Sequence, residues 1–384
     1  MNQPKYDVAI VGGGVVGAAI LFTLAHRGVR VVLLEADADL AYSASGTNSG
    51  VLHTGFDSTP GQLETELIVR SAEIRPAVLD ALHVPVLQCG AELVPHSDSD
   101  RDTVRDLAQN AARNGVHVEI REGDGALLVP GESVTDPVAF TLAMAASGRA
   151  AGGTVLTQAK VVAIADHTDR FILTLEDDRA LDSTVVVNAA GLHADDVARL
   201  VGDDSFEIYP RKGEFFVFEL PDGKRLEKIL LPVPTKRTKG VLVFPTLDGR
   251  VTTGPTAVDL TDKNDWSVRP EAREEILPKA KAQFPDLEGL TPVAQYAGLR
   301  PAGRDTNYVV GPSARNGRFI NVAAIRSTGL SASLGIADYL TELLPAAGVE
   351  VGEQRTIQAG DVETLNAPWW QRTARFRAQE PARV

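Results

Sequence analysis

A strand, a six-residue glycine motif and a helix within residues 6–27, a β-rich middle, and a late return of strand, glycine and helix near residue 320 predict an α/β chain. The expected architecture is a Rossmann-like dinucleotide-binding domain with a β-rich domain inserted into it. The 384 residues suit two or three domains at roughly 100–200 residues each. With 44% hydrophobic and 23% charged residues, the composition excludes collagen-like, low-complexity and wholly disordered chains.

Tyr6–Val11 reads as a short buried strand, Val15–Arg27 as a helix, and Val29–Glu35 as a second β-branched run ending in an acid. A nicotinamide-dependent dehydrogenase would continue with a third strand and helix; here Ser43–Gly50 is instead a loop of small polar residues. Gly61–Leu82 has a helical period and stops at Val84-Pro85. Glu92–Pro95 is a short strand, and Ser99–Asn114 an amphipathic helix ended by Gly115. Asp136-Pro137, a capping acid before a first-turn proline, opens a helix that runs to Ala151. Thr154–Leu156, Lys160–Ala165, Phe171–Glu176 and Thr184–Asn188 read as strands. Phe215–Leu220, Val241–Pro245 and Arg250–Thr253 read as a separate sheet. Phe319–Val322 then leads through a Ser-Thr-Gly turn into the helix Ser331–Leu344. This order assigns 1–82, 137–200 and 297–346 to the dinucleotide domain, 83–136 and 201–296 to the inserted substrate domain, and 347–384 to a peripheral tail.

Lys+Arg is 38 against Asp+Glu 51, a formal net charge of −13. An acidic chain without a basic block is a poor nucleic-acid binder, and an anionic ligand would need a local cationic pocket. The single cysteine, Cys89, excludes an internal disulfide, a Cys-rich zinc site and a Cys-ligated iron–sulfur cluster. The first residues lack the apolar region and cleavage site of a signal peptide, and no segment approaches the roughly 18 apolar residues of a spanning helix. A cytoplasmic location is the expectation. Pro368–Arg377 mixes aromatics with arginines, as membrane-surface segments do, but Pro368 and the short length favour a packed or frayed tail over membrane contact.

Gly12-Gly13-Gly14-Val15-Val16-Gly17 satisfies G-x-G-x-x-G between a strand and a helix. Gly12 permits the tight turn and Gly14 a close approach of backbone to pyrophosphate. Gly17 lets the helix lie against the sheet, while Val15 and Val16 open the helix whose N-terminus favours an anion. Glu35 ends the second strand, where a carboxylate can accept both hydroxyls of a ribose and disfavours a 2′-phosphate.

The position of this motif, and Thr184-Val-Val-Val-Asn-Ala-Ala-Gly191, resemble the FAD-dependent amine and hydroxy-acid oxidoreductases of the D-amino-acid oxidase superfamily. Asp136-Pro137 and Lys160-Val-Val-Ala extend the likeness over most of the chain. Within that superfamily the chain is most similar to the glycerol-3-phosphate dehydrogenase/oxidase and L-2-hydroxyglutarate oxidase branch. Gly46-Thr-Asn-Ser-Gly-Val-Leu-His-Thr-Gly55, Lys239-Gly-Val-Leu-Val-Phe-Pro-Thr246, Gly254-Pro255-Thr256 and Ile325-Arg-Ser-Thr-Gly-Leu-Ser331 carry that likeness. The resemblance implies FAD of the D-amino-acid-oxidase binding type, with no tether residue in view and hence non-covalent. It implies further cofactor contacts at Ala36, Ser45, Gly46, Thr47, Asn48, Ser49, Gly50, Val161, Ala190, Gly191, Gly298, Thr328, Gly329, Leu330 and Ser331.

Oxidising an alcohol needs a base for the hydroxyl proton, and histidine is poised for it near neutral pH. The resemblance places a catalytic histidine at His53. His26, His83, His96, His117, His167 and His193 read as packing or surface residues, and no metal-ligand spacing is present. Arg300, in Gly298-Leu-Arg-Pro301, matches the position of an arginine that grips a carboxylate, with Arg326 and Lys239 as further cations. Lys236, Arg237 and Lys239 form a small basic cluster that would suit a phosphate. The reaction implied is hydride transfer from a CH–OH group of a small anionic substrate to FAD. Glycerol 3-phosphate is favoured over L-2-hydroxyglutarate or another 2-hydroxy acid. Amine oxidation of the glycine or sarcosine oxidase type is the second alternative. The anaerobic glycerol-phosphate enzymes carry a Cys-rich C-terminal region that this chain lacks, so electrons are expected to pass to oxygen, a quinone or a soluble carrier. Oligomeric state is left open by the sequence.

Overall fold

The structure, a computed structural model, describes residues 5–234, 240–362 and 367–379. The centre of its first sheet is built from Val-, Ile- and Leu-rich runs buried on both faces. Lys5–Val11 (β1) lies parallel to Val31–Leu34 (β2) on one side and to Ala180–Asn188 on the other. Thr154–Leu156 extends the parallel set beyond β2. Ala180–Asn188 shares its far edge between two partners. Its first half pairs antiparallel with Phe171–Leu175, its second half parallel with Phe319–Ala323. Val161–Asp166 and Val309–Pro312 complete eight strands. Along β1, Val8 and Ile10 face one apolar cluster and Ala9 and Val11 another, as the two-residue period of a strand requires.

Val15–Ala25 (α1) is buried at every position but Val16, so it sits inside a layer of helices rather than at the surface. It packs against Pro137–Ala150 and Gly329–Leu343, and the latter packs against Leu63–Ala81. The helix Pro137–Ala150 opens at the expected place: the Asp136 carboxylate accepts the backbone N–H groups of Val138 and Ala139 at 2.8 and 2.9 Å.

The second sheet has nine strands centred on Ile208–Phe218. That strand pairs antiparallel with Ala294–Gly303 along its length, placing Arg211 opposite Arg300. Its other edge carries Val251–Gly254 and Val258–Asp259, and the order continues through Leu242–Pro245, Ile229–Leu230, Ala91–Leu93, Leu127–Val129 and Glu119–Ile120. A small third sheet joins Val51–Leu52, Ser133–Thr135 and Val86–Leu87.

Several elements differ from the sequence expectation or add to it. The expected strand Phe215–Leu220 is the end of the longer Ile208–Phe218. Ala294–Gly303 is a ten-residue strand although its Gly, Pro and Ala content lacks β-branched alternation, and the domain boundary expected at 297 falls inside it. Ala272–Gln283 is helical despite Pro278, because Ala272, Ile276 and Ala280 bury one face. The segment expected to be a peripheral tail carries the helix Trp369–Gln379, whose Trp369 and Trp370 are 2% and 3% exposed. Two indoles seek an apolar seat, and they find it in the cluster that holds Ala41, Val138 and Phe215. Among the described residues no helix is long and apolar enough to cross a membrane.

Candidate functional site

One cavity of about 1230 Å³ runs from the first turn of α1 to the N-terminus of Gly329–Leu343 and on between the two large sheets. At its first end the backbone comes within atomic contact of itself. Gly12 has φ +114°, and a β-carbon there would lie 2.4 Å from the Ala189 carbonyl oxygen. One at Gly17 would lie 1.9 Å from the Gly12 carbonyl oxygen. No side chain fits either position, so the turn stays open and the helix N–H groups stay close to whatever anion enters. The Val15 N–H donates to Ser45 Oγ at 2.9 Å, which ties the polar loop to the helix start.

Glu35 stands at the end of β2 and lines the same cavity. Its two oxygens accept the N–H groups of Gly13 at 2.6 Å and Asp37 at 2.8 Å. Burial pushes its carboxyl pKa up, and the backbone donors pull in the other direction. A carboxylate held in this way keeps lone pairs for ribose hydroxyls. The open glycine turn, this acid and the close approach of Gly298 to Thr47 form a cradle that fits a dinucleotide.

Most of the expected cofactor contacts line the cavity: Gly12, Gly14, Val15 and Val16 at the turn, Ala36 beside Glu35, and Ser45, Thr47, Asn48 and Ser49 along the loop. Val161, Ala190, Gly191, Gly298, Thr328, Gly329 and Leu330 line it as well. Gly17, Gly46, Gly50 and Ser331 stand behind the wall instead. Gly17 is pressed under the turn, Gly46 against Thr373, and Gly50 against the Thr135 carbonyl. Ser331 is buried and its Oγ accepts the His53 N–H at 2.8 Å.

His53 lines the cavity beyond this loop. Its Nδ1 lies 2.8 Å from Glu132 Oε2, and the Glu132 side chain is fully buried. The other Glu132 oxygen accepts both the N–H and the hydroxyl of Thr54, at 2.7 and 2.9 Å. Since a carboxylate can only accept, Nδ1 donates to it, and in the neutral ring the lone pair then sits on Nε2. Arg75, 5% exposed, donates to the carbonyls of Ser331 and His53 at 3.1 and 3.3 Å. Burial pushes its pKa down to about 10, against the attraction of Glu132.

Neither Glu132 nor Arg75 is marked by the sequence. Their partner is 79 residues from one and 22 from the other. The signal lies in strand register: Val51 pairs with Val134 and Leu52 with Ser133, so the next step brings His53 opposite Glu132.

Arg300 also lines the cavity. Nε donates to the Arg211 carbonyl and Nη2 to those of Lys212 and Thr256, at 3.0, 3.0 and 2.6 Å. Nη1 has no partner among the described residues. Burial pushes its pKa down to about 10, with further lowering from Arg211, which still leaves it cationic at neutral pH. Thr256 is itself fixed: its hydroxyl donates to Glu214 at 2.7 Å, and Glu214 pairs with Arg269. Arg326 is at the cavity but is ion-paired to Glu64 at 3.3 Å, so its charge is largely answered within the protein. Glu64 also accepts from Asn307 at 2.6 Å and Thr328 at 2.9 Å. Lys239, with Lys236 and Arg237, lies outside the described residues. Among the described residues no cluster of three or more His, Cys, Asp or Glu could hold a metal ion.

A phosphate-binding turn at one end and a histidine–carboxylate pair at the other suit an enzyme that reads a dinucleotide and performs redox chemistry beside it. Residues 7–343 match the family described as FAD dependent oxidoreductase, and the chain belongs to that family, with FAD as its cofactor. It is 29% identical over 355 residues to the glycerol 3-phosphate dehydrogenase of Caloramator mitchellensis, covering 88% of this chain and 74% of that one. It is 28% identical over 270 residues to the L-2-hydroxyglutarate dehydrogenase of Escherichia coli, covering 66% and 64%. The fold is that of the L-alpha-glycerophosphate oxidase of Mycoplasma pneumoniae, whose dithionite-reduced structure has FAD bound. The TM-score is 0.86 at 24% identity, covering 94% of this chain and 100% of that one.

Proposed function

We propose that this enzyme oxidises the CH–OH group of a small anionic substrate, with glycerol 3-phosphate, giving dihydroxyacetone phosphate, favoured. The observation that carries the reading is the His53–Glu132 pair on the cavity wall, because an alcohol must lose a hydroxyl proton as its carbon loses hydride, whereas a neutral amine needs no dedicated base. FAD, when bound, supplies the acceptor for that hydride. His53 takes the hydroxyl proton at Nε2, and Glu132 holds the ring in the orientation and tautomer that leave Nε2 basic. The imidazolium so formed is stabilised by the buried carboxylate behind it. Arg300, anchored by three carbonyls, offers its remaining N–H groups to the substrate anion.

Likeness to the dehydrogenase of Caloramator mitchellensis favours the phosphate ester. L-2-hydroxyglutarate is the second reading, supported by likeness to the enzyme of Escherichia coli and by the fit of a guanidinium to a carboxylate. The test is anaerobic addition of glycerol 3-phosphate, L-2-hydroxyglutarate and glycine in turn to the FAD-loaded protein, following the visible flavin band. Bleaching by glycerol 3-phosphate is expected. Bleaching by glycine alone would overturn the alcohol reading, and bleaching by L-2-hydroxyglutarate alone would replace the substrate.

A further inference from the structure

The family match ends at residue 343, yet the helix Trp369–Gln379 lies against the cofactor end of the cavity. Its contacts converge on the loop that follows β2. Trp369 Nε1 donates to the Asn48 carbonyl at 2.9 Å, and Arg372 Nη1 to the Leu40 carbonyl at 3.0 Å. Arg372 also pairs with Asp39 and lies over the Tyr42 ring, while Phe376 stacks on Tyr42 with centroids 3.9 Å apart. Arg377 lines the cavity itself. Its Nε donates to the Tyr42 carbonyl at 2.9 Å and its Nη2 to Asp37 at 2.7 Å, and its guanidinium lies 5.2 Å from the ring centroid of Trp266, which also lines the cavity.

These contacts form a relay of position. Arg377 holds the Asp37 carboxylate, and the Asp37 N–H holds Glu35. Without Arg377, the Asp37 charge would stand unanswered beside a buried carboxylate, which raises the cost of keeping Glu35 ionised. We propose that the C-terminal helix is a cofactor-binding element of this chain, in which Arg377 acts through Asp37 as the positioning residue for Glu35 and so for the adenosine half of FAD.

The proposal rests on the family's cofactor and not on the substrate, so its test reads flavin affinity without turnover. Full-length apoprotein is titrated with FAD and, separately, with FMN, which lacks the adenosine half, and quenching of flavin fluorescence is followed. The variants are Arg377→Ala, Asp37→Ala and the double substitution. Arg377→Ala is expected to raise the Kd for FAD about tenfold, whereas Asp37→Ala and the double substitution, which remove the charge that Arg377 answers, should raise it by less. The Kd for FMN should stay within about twofold of wild type, and Arg377→Lys should recover part of the FAD affinity by keeping the charge on Asp37. An unchanged FAD affinity would overturn the proposal. So would a parallel loss for FAD and FMN, which is what general damage to the fold produces.

Discussion

The proposed base, His53, depends on what stands behind it, the buried carboxylate of Glu132. Replacing His53 with Ala should lower kcat for the alcohol about 10²-fold or more, measured as the rate of flavin reduction under anaerobic mixing. Glu132→Gln keeps the shape but lets the ring settle in either tautomer, and a fall in kcat of about tenfold is expected with little change in KM. Glu132→Ala is a poorer probe, because it also leaves a hole behind His53 and removes the acceptor of the Thr54 N–H and hydroxyl. Arg300→Lys should raise KM about tenfold while leaving the base intact, since an ammonium cannot hold three carbonyls and an anion at once. His53 was legible in the sequence only through the run Asn48-Ser-Gly-Val-Leu-His-Thr-Gly55, whereas Glu132 was not legible at all. A carboxylate 79 residues away carries no local mark; the pairing of two short strands brings it beside His53.

Elements differ in how openly the sequence declares them. β1, α1 and β2 could be read directly because apolar periodicity, a glycine motif and a terminal acid agree with one another. The strand Ala294–Gly303 hides because its residues are small and its stability comes from its partner, Ile208–Phe218, in register throughout. The helix Trp369–Gln379 hides because its tryptophans are buried by residues far away in the chain, Ala41, Val138 and Phe215 among them. The buried ion pairs of Ile208–Phe218 also define a pH response. Burial alone would raise the pKa of Glu214, but hydrogen bonds from Arg269 and Thr256 hold it below its ordinary value of 4.5. A depressed carboxyl stabilises the fold above that ordinary value and loses its contribution as pH falls through the native one. Thermal scans should therefore show Tm falling below about pH 4.5, with a smaller fall for Glu214→Gln. An equal fall in both proteins would place the acid sensitivity elsewhere.

For the whole molecule, the cavity between the two sheets makes the cofactor part of the structure. A ligand that binds only the native chain adds about 2.7 kcal/mol of stability when present at a hundred times its Kd. Removing FAD should thus lower Tm by several degrees for a chain of this size, roughly 2 °C for each kcal/mol. Re-addition should restore the loss if the apoprotein keeps its fold. FMN should restore less, since it lacks the adenosine that Glu35 addresses and one of the two phosphates at the glycine turn.

The divided edge of Ala180–Asn188 has a consequence for how the protein is made. Asn188 Nδ2 donates to Asn321 Oδ1 at 3.0 Å, a bond between residues 133 apart in the chain. A ribosome delivers about 5–20 residues per second, so Asn188 waits many seconds before its neighbour exists. Through that interval the growing chain exposes a parallel edge with Val186 and Val187 unpaired, open to association with other chains. Arg377 arrives later still. Its contacts with Tyr42 and Asp37 therefore form only after that edge can be covered.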